Sequence, residues 1–310
     1  MYKYYKKLLG EEPEFIKKYL KSPSLKRLKK VGYFCGMDYA SKDIYDFKDY
    51  ISRYDHSLTV ALMTYKYTKN KKAVLSALFH DVSTPCFSHV IDYMNKDYSK
   101  QESTEEYTEH IIMNDKYLLK CLEEDNIKPK DIINFKKYSI VDTDRPKLCA
   151  DRIDGIILTG IYWCNEINKK DIKDIVEDIV VYKNEDNEKE LGFKTKDIAK
   201  RVININRNID ILCHSNEDNY MMDLLSRITK LGLDNNYYSY DDLFTLTEEE
   251  LFKRLNSSNN KEMKELLNKF YHVTKEEIPV IELSNIKIRN IKPLVENKRI
   301  NWCNYSFFLV

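Results

Sequence analysis

The chain has 310 residues, 43% hydrophobic and 33% charged, with a net charge of +1. That length and composition support a substantial core and exclude a disordered chain, while near-neutral charge leaves no overall basic field for a nucleic acid. Only seven Gly and seven Pro occur, well below average usage, so long helices are expected over a turn-rich sheet protein.

The N-terminus, MYKYYKKLLGEEPEF, has no apolar stretch of signal-peptide length. Its first 30 residues carry ten Lys/Arg against three Glu, read as a solvated helix face. KSPSLKRLKKVGYF then starts a helix, with Ser22 as cap and Pro23 at the first helical position, where its missing N–H costs nothing. DHSLTVALMTYKYTKN places Leu58, Ala61, Leu62 and Tyr65 at helical spacing. KKAVLSALFHDV places Val74, Ala77 and Leu78 on one face of a buried helix, with His80 and Asp81 near its C-terminal end. A further helix is expected from about Ser103, where STEE has the pattern of a reciprocal cap. Glu102, Glu105 and Glu106 are read as the start and surface of that helix, or else as a carboxylate reaching a pocket as a general base.

After the turn at Pro146, KLCADRIDGIILTGIYW turns Ile153, Ile156, Ile157 and Ile161 toward a core. The charged stretch KNEDNEKELGF (Lys183 to Phe193) is the best internal boundary, giving residues 1–182 and 183–310 as the two parts. Helices are expected over Thr195–Asp210, Asn219–Leu231, Asp241–Phe244 and Thr247–Leu255, with a second break at Ser257–Asn260. The tail alternates more like strand, and IPVIELSNIKIRNI and INWCNYSFFLV are expected to pair as a small terminal sheet. The fold class expected from these elements is all-α, with a mainly helical C-terminal extension ending in a small β-hairpin. No run of about 18 apolar residues exists, so no membrane span is expected. Seven scattered cysteines without a CxxC suit free thiols in a reducing compartment, and a cytoplasmic protein is expected.

His56, the pair His80–Asp81 and Asp151 each sit on or at the end of an apolar predicted helix. An inward carboxylate without a partner is costly, so Asp81 and Asp151 need one. A shared divalent cation is one answer, since two imidazoles and two carboxylates suit a metal such as Fe, Mn, Zn or Co. Taken singly, each histidine is more often a hydrogen-bonded core or surface residue.

The order of these four residues resembles the metal motif of the HD superfamily of metal-dependent phosphohydrolases. The flanking text is more specific. SPSLKRLKKVG, SRYDHSLTVALM, HDVSTPCFSHVID and CADRIDGI resemble, in order, the segments TPxFQRLRxIxQLG, NRFEHSLGV, HDLGHGPFSHxxD and DxDxxDY of the branch containing deoxynucleotide triphosphohydrolases. The similarity runs from about residue 10 to 165. It implies a helical bundle around a divalent ion (Fe, Mn, Zn, Co or Mg) held by His56, His80, Asp81 and Asp151. It also implies a water or hydroxide attacking a phosphate ester or anhydride, with a small-molecule phosphate or nucleotide as substrate. Arg53, Arg152, His89 and Thr84 would face the phosphates, and His89 and Asp81 would carry catalytic roles. Relatives of this branch often assemble, which implies a homo-oligomer, although the sequence shows no interface signal. A nucleic-acid partner is not expected.

Two departures stand out. The His expected four residues after His80 is Thr84, whose hydroxyl can orient a water but is a poor proton donor or acceptor near neutral pH. The Tyr expected four residues after Asp151 is Gly155, which would leave open space beside the metal. Both changes keep open an alternative, a non-catalytic HD scaffold that binds metal or nucleotide. His110, His214 and His272 are read as structural or surface residues.

Overall fold

The computed structural model describes residues 1–99, 107–281 and 286–300. Its α-helices run, in chain order, as α1 (Tyr2–Leu9), α2 (Pro23–Arg27), α3 (Arg53–Thr68), α4 (Lys71–Phe79) and α5 (Val90–Met94). They continue as α6 (Tyr107–Asn114), α7 (Lys116–Glu124), α8 (Lys130–Ile133), α9 (Ala150–Tyr162) and α10 (Lys169–Asp178). The later ones are α11 (Lys196–Cys213), α12 (Asn216–Asp234), α13 (Asp242–Thr245), α14 (Glu248–Asn256) and α15 (Lys261–His272). The all-α expectation holds, and none of the described helices is long and apolar enough to cross a membrane.

Local chemistry sets the helix starts. Ser22 accepts from Leu25 N at 3.3 Å, with Pro23 opening α2. Ser52 Oγ accepts from Asp55 N at 3.2 Å while the Asp55 carboxylate accepts from Ser52 N at 3.0 Å, a reciprocal cap that begins α3 one turn before His56. Asn70 caps α4. The expected break at Ser257–Asn260 is a short turn whose Asn260 caps α15. The expected capping box at Ser103, with Glu102, Glu105 and Glu106, lies outside the described residues.

α3 is buried almost all round, from His56 through Thr64. It packs against α4 and α9, and Leu62, Met63, Val74, Ile153 and Ile157 share one core cluster there. Burying each such side chain stabilises by about 1.5–3 kcal/mol. A second cluster joins Phe87, Val90 and Ile91 to Leu224, Leu225, Phe252 and Phe270, so α5 is pinned against α12. The segment between α4 and α5 is thus held at both ends by separate cores.

Lys183 to Phe193 is a turn and a strand. β1 (Ile179–Lys183) and β2 (Lys189–Phe193) form an antiparallel hairpin with Val181 opposite Leu191. Asn184 Oδ1 accepts from the backbone N–H of Asp186 and Glu188 and closes the turn. Leu191 and Phe193 enter the first core cluster together with Ile161 and Val202. The C-terminal hairpin falls elsewhere than the tail pattern suggested: β3 (Leu294–Val295) pairs with β4 (Lys298–Arg299), and β3 lies parallel to β2 through Val295 and Phe193. Pro279 and Ile281 are not in a strand, because their backbone groups pair with the Asn216 side chain and not with a ladder. Residues 301–310, the larger part of the second expected strand, lie outside the described residues. The six described cysteines are free thiols.

Candidate metal centre

Three helices bring the motif together. α3 presents Arg53 and His56 one turn apart, His80 caps the C-terminal end of α4 with Asp81 after it, and Asp151 stands in the first turn of α9. His56 Nδ1 lies 2.7 Å from Asp154 Oδ2, and Tyr5 donates to the other oxygen of that carboxylate at 2.6 Å. Asp154 is fully buried. A carboxylate accepts, so His56 carries a proton on Nδ1 and turns Nε2 to Asp151 Oδ1, 2.9 Å away. His80 Nδ1 donates to the Ala77 carbonyl at 2.7 Å, which sends its Nε2 toward the same centre. There it lies 3.4 Å from Asp151 Oδ1 and 3.6 Å from Asp81 Oδ1. Asp81 Oδ2 lies 3.8 Å from His56 Nε2 and accepts from Arg53 at 3.1 Å.

His80 Nε2 is buried and makes no hydrogen bond. An orphaned imidazole nitrogen facing carboxylates is costly unless something else binds it. His56, His80 and Asp151 offer ligand atoms within 4.8 Å of one another, and Asp81 lies beside both rings. Two nitrogens and two carboxylates on rigid helices fit a divalent transition metal. A hydrogen bond from each ring's other nitrogen, to Asp154 or to a carbonyl, is the usual support of a metal-binding histidine.

The charges agree. Burial alone would lower the His56 pKa, but Asp151 and Asp154 override it and push it to about 10. Burial would raise Asp81, but His80 and Arg53 bring it down to about 2. Asp151 is likewise held well below the usual carboxylate range against its burial, by both imidazoles. His56 thus holds a proton where a cation would sit, and a metal ion must displace it.

Residues 53–155 match the family model of the HD domain. The chain carries an HD domain. HD domains characterise a superfamily of metal-dependent phosphohydrolases, and this match to the domain as a whole names no branch within it. The chain is also similar to an uncharacterized protein, YdhJ, of Bacillus subtilis (strain 168), at 24% identity over 229 residues. That match covers 71% of this chain and 66% of the relative, so the chain spans just under two thirds of that protein's length.

A cavity of about 480 Å³ opens on the centre of the HD domain, and Arg53, Thr84, His89 and Arg152 all line it. Their settings differ. Arg53 is nearly buried, ion-paired with Asp81, and lies over the Tyr33 ring at 4.9 Å. His89 Nδ1 lies 2.9 Å from the Asp92 carboxylate, which leaves Nε2 as an acceptor, and burial lowers its pKa. Thr84 keeps its carbonyl on Arg27. Arg152 donates to the carbonyls of Lys147 and Thr143, so this guanidinium ties down the 143–147 loop beneath the cavity.

Gly155 does not leave open space, contrary to expectation. The Tyr33 hydroxyl fills it, 2.8 Å from where a Cβ on Gly155 would stand, with the Tyr33 ring 4.9 Å from that of His56. A ring absent from α9 is supplied by the segment before α3. Sequence reasoning also missed Asp154, although its place one turn after Asp151 was a usable signal. Lys287 and Arg289 line the cavity from the C-terminal segment, far along the chain and without any local pattern to announce them. His214 and His272 make local bonds to the carbonyls of Asp210 and Asn268.

Proposed function

We propose that this protein is a divalent-metal-dependent phosphohydrolase that cleaves a phosphate ester or anhydride, with a nucleotide as substrate class. The observation that carries the reading is the convergence of two imidazole Nε2 atoms on two carboxylates, one of those nitrogens buried and without a hydrogen bond. His56, His80, Asp81 and Asp151 would hold the ion. Bound there, a divalent cation would acidify water into a nucleophile near neutral pH and offset charge on phosphoryl oxygens.

The chain's own groups divide the remaining work. Asp154 and the Ala77 carbonyl fix both rings. Arg53, after His80, helps keep Asp81 ionised and brings positive charge to the cavity wall. His89, neutral with its proton on Nδ1, offers Nε2 as proton acceptor. Thr84 orients a water or a phosphoryl oxygen. Loaded in turn with Mn²⁺, Fe²⁺, Co²⁺, Zn²⁺ and Mg²⁺, the protein should release phosphate from a nucleotide or generic phosphoester. The activity should vanish with chelator and in Asp81→Ala. A metal-loaded protein that cleaves nothing in a broad panel refutes the reading.

Thr84, standing where the resembling branch has a histidine, favours a second reading: a scaffold that binds its ligand without turnover. A ligand at 100 times its Kd would then add about 2.7 kcal/mol of stability. Turnover of that ligand excludes this reading.

A further inference from the structure

A second cavity, of about 160 Å³, adjoins the first. Tyr33, Arg53, His89, Thr159, Ile209 and Arg289 line both. Beyond this shared wall the lining changes character. Phe34, Tyr45, Phe47 and Trp163 form one aromatic group, with Phe34 and Phe47 stacked at 4.4 Å and Trp163 edge-on to both at 6.2 and 6.1 Å. Asp218 also lines this pocket, and its Oδ1 accepts from the Tyr45 hydroxyl at 2.7 Å. Among the described residues no group donates to its Oδ2.

Each feature narrows the occupant. Ring walls favour a flat, polarizable group. An alkyl group would strip water from the Asp218 carboxylate and return no hydrogen bond, which is costly. A cation, the usual guest of an aromatic cage, meets Arg53 and Arg289 in the same wall. What remains is a neutral planar ring with N–H donors on the edge facing Asp218. Oδ2 and the second lone pair of Oδ1 can accept two such donors side by side. The volume suits the ring alone, with the rest of a larger ligand in the 480 Å³ cavity.

We propose that this side pocket binds the heterocycle of the substrate, and that Asp218 selects a ring edge carrying two adjacent N–H donors, as guanine does. The proposal rests on the hydrolase reading only in taking the phosphate end of the same molecule to lie in the metal cavity.

The test uses guanosine, which has no phosphate to hydrolyse, so its outcome is separate from that of the hydrolase reading. Trp163 lines the pocket, and a Trp302→Phe background leaves it as the sole tryptophan. Guanosine should quench its fluorescence saturably, adenosine should bind at least tenfold more weakly, and ribose 5-phosphate should leave the signal unchanged. Asp218→Asn should weaken guanosine at least tenfold and narrow its advantage over adenosine. Equal affinity for the two nucleosides in the unsubstituted chain overturns the assignment even if Asp218→Asn fails to fold. No saturable response to guanosine also overturns it, as does quenching by choline in its place. If phosphate release is found, equal kcat/KM for guanosine phosphates and ring-free phosphoesters removes the pocket from substrate recognition.

Discussion

Two buried acid clusters lie in this protein, and the pKa values of their carboxyl groups are shifted in opposite directions. At the HD centre Asp81 is drawn down to about 2 and Asp151 well below its usual range, both against their burial, by imidazoles and, for Asp81, Arg53. At the junction of Gly32, Asp38 and α14, burial pushes Asp38 up to about 6 and Glu248 up to about 7. Asp38 Oδ2 and Glu248 Oε2 are buried without a hydrogen bond, and a Cβ on Gly32 would stand 2.6 and 3.1 Å from them. Burial acts alike on both clusters, so the difference lies in the neighbours. Carboxylates facing imidazoles stay ionised and suit a metal ion, whereas carboxylates facing each other and apolar groups take up a proton more readily. Buried acidity by itself therefore does not mark a metal site; the nitrogen lone pairs beside it do.

The largest effect that would break this contrast is at Asp151. Asp151→Ala should cost more than a hundredfold in divalent-metal affinity, beyond the 10–100-fold typical of a supporting residue. Glu248→Gln should leave metal stoichiometry at the level of the unsubstituted chain. Elemental analysis after dialysis against a metal buffer checks both. Retention of a full equivalent of metal by Asp151→Ala would end the distinction between the clusters.

The second test is stability against pH. Glu248 is raised from 4.5 to about 7 on folding, so folding takes up a proton between those values. Its contribution is complete below about pH 4.5 and disappears as pH rises through about 7. Over that window the unsubstituted chain should lose on the order of 3 kcal/mol relative to Glu248→Gln. Urea denaturation of both at a series of pH values reads the difference. A gap that stays constant from pH 4.5 to 8 would mean that Glu248 holds no extra proton.

The sequence carried the HD centre and said little of what surrounds it. His56, His80, Asp81 and Asp151 were legible because each lies in a locally apolar helical pattern and in a recognisable order. Helices α3, α4, α9, α11, α12 and α14 were legible for the same reason, and α2 from its Ser22 cap, whereas α7, α8, α10 and α15 were not predicted. Tyr33 was not, because the gap it fills at Gly155 is a tertiary fact: a missing side chain on α9 says nothing of which distant residue comes to replace it. The second task of Arg152, beside lining the cavity, was not legible either, because it depends on the path of the 143–147 loop, whose carbonyls accept from the guanidinium. The hairpin β1–β2 hid behind its charge. Glu190, buried in β2, pairs with Arg299 of β4 at 2.7 Å, so a polar composition that suggested a break is satisfied across the sheet.

A smaller effect tests how the HD centre is supported. Asp154 touches no proposed substrate, yet it holds His56 Nδ1 while Tyr5 holds Asp154. Asp154→Asn keeps an acceptor for Nδ1 and removes the charge. Metal affinity should fall about 10–100-fold with stoichiometry preserved. An affinity equal to that of the unsubstituted chain would reduce Asp154 to a packing role.

The smallest effect separates the helix from the site it carries. Ser52 makes both bonds of the cap that begins α3, and His56 lies one turn further on. Ser52→Ala removes an acceptor for Asp55 N and leaves that N–H to water, at a cost of about 1 kcal/mol. His56 is fixed independently of the cap, by Asp154 on α9 and by burial on every side. The loss in urea denaturation should therefore be the same with and without bound metal, and metal affinity should change less than twofold. A metal-dependent loss would show that the cap positions His56, and that the centre depends on the start of α3 as much as on the carboxylates facing it.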